Sequence, residues 1–463
     1  MAALSMDTAI TAPVGTRTDR AERDVERMTM RRVSLRLLPL LFTLFVCNYI
    51  DRTNIAMAKL QMNRDLHFSE TAYGIGASIF FVGYILFEVP SNLILVRVGA
   101  RRWIARIMIS WGLVAMAMMF IRTPIHFYAL RVLLGVTEAG FFPGIIYFLG
   151  QWFPAAQQAR TIARFMIGMA LAGSIGNPLS GWLLGFNGYL GLRGWQWVFL
   201  VEGLLSVLLG LAVLALLTDR PENARWLSGE QRSWLVARLA RDQDESSAPH
   251  GLSIRQSLAY PALWLVGLPF ILSVVSFYGY LFWAPDFIRD TLQVSAMATG
   301  IIVGMSACLA AASMLAIGLS CDRVGERCLH TSAATLLTAL GFAGAALLPN
   351  PVARVAGLVL VNAGVMSFCV AFWSVSSSLL RGTAGAAGIA LVNSLGNVGG
   401  LIGPFVMGRL KDATGSMTQS FLLCSGLALV TSLLFVVYRG RDVFASADPR
   451  RVAKRLVPAR VEA

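Results

Sequence analysis

Charge is scarce in this chain. Only 14% of its 463 residues are Asp, Glu, Lys or Arg, while 56% are hydrophobic. A soluble protein carries about a quarter charged residues. Histidine is nearly absent too, with four scattered copies. The six cysteines, Cys47, Cys308, Cys321, Cys328, Cys369 and Cys424, follow no disulfide or zinc spacing. No metal, cofactor or cystine framework is therefore expected. The longest polar stretch, 219–260, holds His250 but no nucleophile–base pair, which argues against an enzyme. Residues 1–34 are polar and Arg-rich, without the apolar core and cleavage site of a signal peptide. They read as a disordered tail.

What the chain does have is apolar length. Twelve blocks are long enough to cross a bilayer at about 20 residues each. They fall near 35–57, 73–96, 103–121, 125–150, 160–185, 197–218, 261–285, 297–319, 329–348, 352–375, 384–408 and 417–438. The expected fold is all-α and integral to a membrane. The net charge of +14 reads as a topological signal rather than as nucleic-acid binding. Most Lys and Arg lie in the two termini and in the loops after even-numbered blocks, which predicts both ends to be cytoplasmic. The basic termini are expected in water or against anionic lipid headgroups.

Five units are expected: a tail (1–34), a first six-helix bundle (35–218), a cytoplasmic linker (219–259), a second bundle (260–438) and a tail (439–463). Ser228 followed by Glu230 and Gln231 predicts a short surface helix over 229–241 within the linker. The bundles look like repeats. VRVGARR, with Arg97, Val98, Gly99 and Arg101, matches CDRVGER, with Arg323, Val324, Gly325 and Arg327, at an offset of 226. Gly173 and Pro178 match Gly399 and Pro404 at the same offset. Two parallel six-span repeats suggest a transporter with its site between the halves, near the midplane.

The loop GLSCDRVGER, Gly318 to Arg327, resembles the signature loop of the major facilitator superfamily. Its first-half copy has Val96 where the acidic residue would stand. Such loops combine a tight glycine turn with charges at helix ends, so Arg97, Gly99, Asp322, Arg323 and Gly325 are gating candidates. Further stretches are NYIDRTNIAMA, GYILFEVPSNLILVRVGARRW, RVLLGVTEAGFFPG, RGWQWVFLVEG, DRPENARWLSGEQRSWL and AGIALVNSLGNVGG. Together they resemble the anion:cation symporter family, which includes bacterial galactonate, glucarate, tartrate and phthalate transporters and eukaryotic sialin. The resemblance covers 30–440. It implies twelve transmembrane helices in two pseudo-symmetric bundles and proton-driven uptake of an organic acid across a bacterial inner membrane. An exporter or anion exchanger of the same fold is the alternative. A monomer is expected, with an organic anion, protons and lipid as partners.

A charge inside a membrane persists where it faces a bundle interior and finds partners. Asp51 in span one and Arg131 in span four fall at similar depth and are expected to meet if their helices are neighbours. Glu138 lies two turns from Arg131 on nearly the same face, about 10 Å along the axis. Arg52 points about 100° from Asp51 and is free to look into a central cavity. Its fork suits a substrate carboxylate, while Asp51 and Glu138 are candidate proton carriers. The resemblance implies the same roles for that acidic pair. A fixed network of Asp51–Arg131 and Arg52–Glu138, holding helices only, is the competing reading. Glu88, before Pro90, suits a structural bond or the inner gate, and Glu202 is expected to satisfy helix ends or pair with Arg193.

Candidate substrate walls are Tyr49, Tyr84, Tyr278, Trp283, Phe372, Trp373, Ser374, Asn393 and Asn397. The resemblance raises Tyr49, Tyr84, Trp373 and Asn393 among them. FMIGMALAG in span five has no glutamine for a sugar-acid hydroxyl, which favours a smaller or more apolar acid.

Overall fold

The computed structural model describes residues 17–245, 261–379 and 385–440. The linker from 246 to 259, the first sixteen residues and nearly all of the carboxy-terminal tail lie outside them. Fourteen α-helices make up the described chain. The first half holds α1 (Arg17–Asp65), α2 (Glu70–Val98), α3 (Ala100–Ala117), α4 (Pro124–Glu138), α5 (Phe141–Gly150), α6 (Ala155–Leu183) and α7 (Gly194–Leu216). A polar helix, α8 (Gly229–Glu245), follows. The second half holds α9 (Pro261–Leu292), α10 (Ala296–Val324), α11 (Cys328–Leu347), α12 (Pro351–Leu379), α13 (Gly385–Thr414) and α14 (Thr418–Gly440). Eleven spans among the described residues are long and apolar enough to cross a membrane, with α4 and α5 counted as one. The 29-residue α6 completes the twelve.

Local chemistry sets the helix starts. Ser69 and Ser295 accept from the backbone N–H of Ala72 and Ala298, at 3.0 and 3.2 Å, and begin α2 and α10. Thr123 accepts from His126 N ahead of Pro124, whose missing N–H costs nothing at a first helical position. Ser228 accepts from Gln231 N and starts α8 in the same way.

Two expectations change here. Residues 17–34 belong to α1, a single 49-residue helix, rather than to a disordered tail. This stretch rests on neighbouring elements: Arg32 donates to Gln231 on α8 at 3.1 Å, and Gln157 of α6 donates to Glu26. Span four is not continuous either. Ala139 (ψ 133°) and Gly140 (φ 85°) break it directly after Glu138, and α5 restarts with Pro143 in its first turn. A Cβ at Gly140 would stand 2.4 Å from Ser91 Oγ, so both the left-handed backbone and the close approach to α2 require glycine.

The repeat becomes an interface. The two halves meet chiefly along α2 against α13 and α10 against α6, and these pairs correspond under the 226-residue offset. Both crossings are close because small residues face the partner backbone. Gly74 lies against the Pro404 carbonyl and Gly300 against that of Asn177. Hydrogen bonds and ion pairs between the halves gather from the level of Ser174–Cys308 and Ser78–Phe405 to the end that bears the α1–α2 turn. None of these bonds lies toward the opposite end, which bears Arg17 and Gly440. The molecule is closed at one end and splayed at the other.

Candidate functional site

Arg52 and Glu138 meet between α1 and the end of α4. Arg52 Nε donates to Glu138 Oε1 at 3.1 Å, and a terminal guanidinium N–H donates to the same oxygen. The guanidinium lies over the rings of Phe80 and Tyr84, at 5.5 and 5.3 Å, and the Tyr278 hydroxyl comes near it from the second half. The break in span four explains the pairing. It makes Glu138 the last residue of α4, where free carbonyls also favour a cation. The Glu138 side chain is 2% exposed and that of Arg52 21%, so the cation is the member open to a ligand.

Asp51 and Arg131 do not pair, contrary to the depth argument. Asp51 turns toward α3 and α7, where it accepts from Trp111 Nε1 at 2.6 Å, from Ser206 Oγ and from Asn54 Nδ2 at 3.4 Å. Arg131 turns toward α2 and donates to the carbonyls of Gly76 and Ala77, at 2.9 and 3.3 Å, with Phe80 under its guanidinium. Equal depth did not make them neighbours, because their helices present them to different third helices. Glu202 accepts from Ser180 at 2.7 Å, and Arg193 faces Asp65 instead of Glu202. The Glu88 side chain is half-buried on α2 beyond Tyr84, and its carbonyl accepts from Asn92.

The aromatic candidates separate by level. Tyr49 packs with Ile50, Ala172 and Phe277, and Tyr278 packs edge-on against Phe81 at 4.7 Å, both where the halves meet. Trp283 is elsewhere. It is fully buried at the closed end, 5.1 Å from Lys59 Nζ and edge-on to Tyr73, so it walls the closure rather than the Arg52 pocket. Trp373 and Phe372 pack on Phe270 within the second half, and the Ser374 carbonyl accepts from Arg327. Asn393 and Asn397 are half-buried on α13.

The closed end carries a cluster that sequence reasoning missed. Lys59 of α1 contacts Glu70 of α2 at 2.7 Å and Asp286 of α9 at 2.8 Å. Lys411 of α13 contacts Asp286 at 2.7 Å and Glu70 at 3.0 Å. Asp412 accepts from the backbone N–H of Glu70 and Thr71 and so caps α2 from the other half. Lys59 stands two residues past the expected end of span one, where it reads as a solvated charge. The predicted gating residues lie at the splayed end and bond within their own halves or stay exposed. Gly99 (φ 96°) and Gly325 (φ 72°) make the turns. Asp219, from beyond α7, accepts from Arg101 N and supplies the carboxylate that Val96 lacks. Arg97, Asp322 and Arg323 are exposed.

A family model described as Major Facilitator Superfamily matches residues 41–404. The chain belongs to the major facilitator superfamily. It is thus a transporter and not an enzyme, a multi-pass membrane protein with the fold of that superfamily. A protein of Agrobacterium vitis named "Putative tartrate transporter" is 44% identical over 89% of this chain and 95% of its own length. "Putative metabolite transport protein NicT" of Pseudomonas putida is 41% identical over 88% and 93%. "Quinolone resistance transporter" of Acinetobacter baumannii is 38% identical over 90% and 96%. Among solved structures, a bacterial homologue of the lysosomal transporter Spinster, inward-facing and unoccupied, superposes with a TM-score of 0.70 at 16% identity, covering 91% of this chain and 98% of its own. The xylose transporter XylE of E. coli, partially occluded and inward open, gives 0.67 at 12%, covering 87% and 96%.

Proposed function

We propose that this transporter carries an organic acid anion into the cell together with protons, by alternating access around Arg52 and Glu138. The ion pair between those residues is the observation that supports the reading most. A substrate carboxylate entering from the splayed end competes with Glu138 for the guanidinium, because the fork that holds one carboxylate holds another. Displaced from its cation in a dry site, Glu138 becomes a proton acceptor. Substrate and proton then load together. Asp51 is the second proton-handling candidate, buried among the neutral donors Trp111, Ser206 and Asn54. Arg131 braces α4 against α2 and so positions Glu138.

Tyr49, Tyr84 and Tyr278 flank the cation, which suits a small hydroxy- or dicarboxylate like tartrate, or an aromatic carboxylate. The names of the similar Agrobacterium and Pseudomonas proteins fit that class. The resistance-related name of the Acinetobacter relative supports the second reading, export or exchange by the same fold. Accumulation driven by an inward proton gradient in proteoliposomes tests the first reading; counterflow without accumulation supports the second. A thermal-shift screen against organic acids will name the substrate, since a ligand bound to the folded state raises its stability.

Arg52→Lys is expected to lose at least about tenfold in substrate affinity despite keeping its charge, because the ammonium is a point charge without the bidentate fork. Binding within about twofold of wild type, by titration calorimetry, would remove Arg52 from the site. Asp51→Asn is expected to impair accumulation; if accumulation persists, Asp51 only ties α1 to α3 and α7. In the proposed topology both chain ends and the linker are cytoplasmic, which makes the splayed end the inner one. Reporter fusions at Ser253 and after Arg460 are expected to read cytoplasm, and a periplasmic signal at either would reverse the assignment.

A further inference from the structure

At the splayed end, where α1 and α7 leave the apolar layer, a groove of about 560 Å³ is lined by Arg32, Leu35, Arg36, Leu40, Leu216 and Trp226. Its composition is sorted by depth. Leu40 stands within the apolar part of α1, and Arg32 and Arg36 stand one turn apart just above it. Leu216 is the last residue of α7, and Trp226 closes the side from the stretch before α8. Leu35 and Leu216 are 66% and 51% exposed, so the structure itself leaves this apolar surface uncovered. The two arginines are held in place without being neutralised. Arg32 donates to the amide oxygen of Gln231 at 3.1 Å, and the Arg36 guanidinium lies over the Trp226 ring at 5.4 Å. Trp226 is fixed in turn by stacking on Trp152 at 5.5 Å and by donating to Thr218. Neither arginine has a carboxylate partner among the described residues.

We propose that this groove binds one anionic phospholipid. Its phosphate bridges Arg32 and Arg36, and an acyl chain descends over Leu40 and Leu216. A diester phosphate presents two charged oxygens to two guanidinium forks. The uncovered leucines select a lipid over a soluble phosphate, and the tryptophan sits where interfacial rings sit. A zwitterionic lipid offers the same chains but no net charge, so discrimination rests on the arginine pair. The bound lipid would tie α1 to the linker at the end that opens, on one half only, and leave the substrate path clear.

The test uses the full chain purified in detergent. Phosphatidylglycerol with brominated chains is titrated in, and tryptophan quenching is read as the difference between wild type and Trp226→Phe. Native mass spectrometry counts the retained lipid. The expected result is one tightly retained phosphatidylglycerol, bound about tenfold or more tighter than phosphatidylcholine. Soluble glycerol phosphate should not compete. In Arg32→Gln/Arg36→Gln that preference should fall to the level of phosphatidylcholine, with the melting temperature in phosphatidylcholine unchanged. Arg102→Gln/Arg160→Gln, which removes two exposed arginines elsewhere on the same end, should keep the site. Equal loss in both double variants, competition by glycerol phosphate, or no quenching difference at Trp226 would each overturn the proposal. None of these readouts depends on transport or on the identity of the substrate.

Discussion

Vesicles containing Glu138→Gln are expected to exchange substrate across the bilayer yet fail to concentrate it under an inward proton gradient. The amide nearly matches the protonated carboxyl in shape, so Arg52 is freed for substrate and binding survives. What is lost is the titratable group. Carrying an anion inward alone works against the membrane potential by about 2.3 kcal/mol per charge per 100 mV, and co-transported protons offset this. Without a carboxylate that trades its cation for a proton, the coupling has no carrier. Accumulation should fall to the level of simple equilibration, while counterflow stays within a few-fold of wild type. Uptake equal to wild type under the same gradient would make Glu138 structural and move the proton site to Asp51 or elsewhere.

The second large effect is expected at the closed end. Lys59 and Glu70 belong to one half and Asp286 and Lys411 to the other, and each cation touches both acids. Opening this end breaks the two ion pairs of the cluster that cross the interface, Lys59–Asp286 and Glu70–Lys411, together with the Asp412 cap on α2. Each half keeps a neutral pair of its own, Lys59–Glu70 and Asp286–Lys411, both at 2.7 Å. The latch therefore opens without leaving an unpaired charge. Asp286→Asn upsets that symmetry. Closed, two cations share one acid in a site where the Lys59 side chain is 1% exposed. Open, the surplus Lys411 is hydrated. Removing one partner of a buried pair costs about 3–5 kcal/mol, nearly all of it charged to the closed state. The variant should therefore rest open at this end. Spin labels at Arg64 and Gln293, in a cysteine-free background, should report a longer distance than in wild type. Substrate uptake should drop by tenfold or more, since about 1.4 kcal/mol is a factor of ten. Lys59→Asp/Asp286→Lys is expected to recover part of the closure. An unchanged distance in Asp286→Asn would show that helix packing at Gly74 and Gly300, not the charges, holds this end shut.

Much of this was legible in one dimension. Run length and the scarcity of charge marked the spans, because a bilayer admits only helices with their backbone groups satisfied. The 226-residue offset marked two related halves; Gly173 and Pro178 proved to lie at the crossing of α6 with α10 and Pro404 at that of α13 with α2, while Gly399 packs on Ile271 and Val274 of α9. The Arg52–Glu138 pair was also within reach, as one of the networks that the charge positions allowed.

Sequence alone determined which residues lie in the membrane, roughly how deep they sit, and that cations and acids interrupt the apolar runs. It could not determine azimuth or neighbours. Depth follows from counting 1.5 Å per residue, but partners depend on which third helix fills the gap. Tertiary packing therefore decided that Asp51 faces Trp111 and Ser206, that Arg131 faces the carbonyls of α2, and that Trp283 belongs to the closure. It decided too that Lys59, Glu70, Asp286 and Lys411, spread over 353 positions of chain, share one site. Each of them, read singly near a span end, looks like a solvated charge; only the approach of the two halves removes the water and makes them a latch.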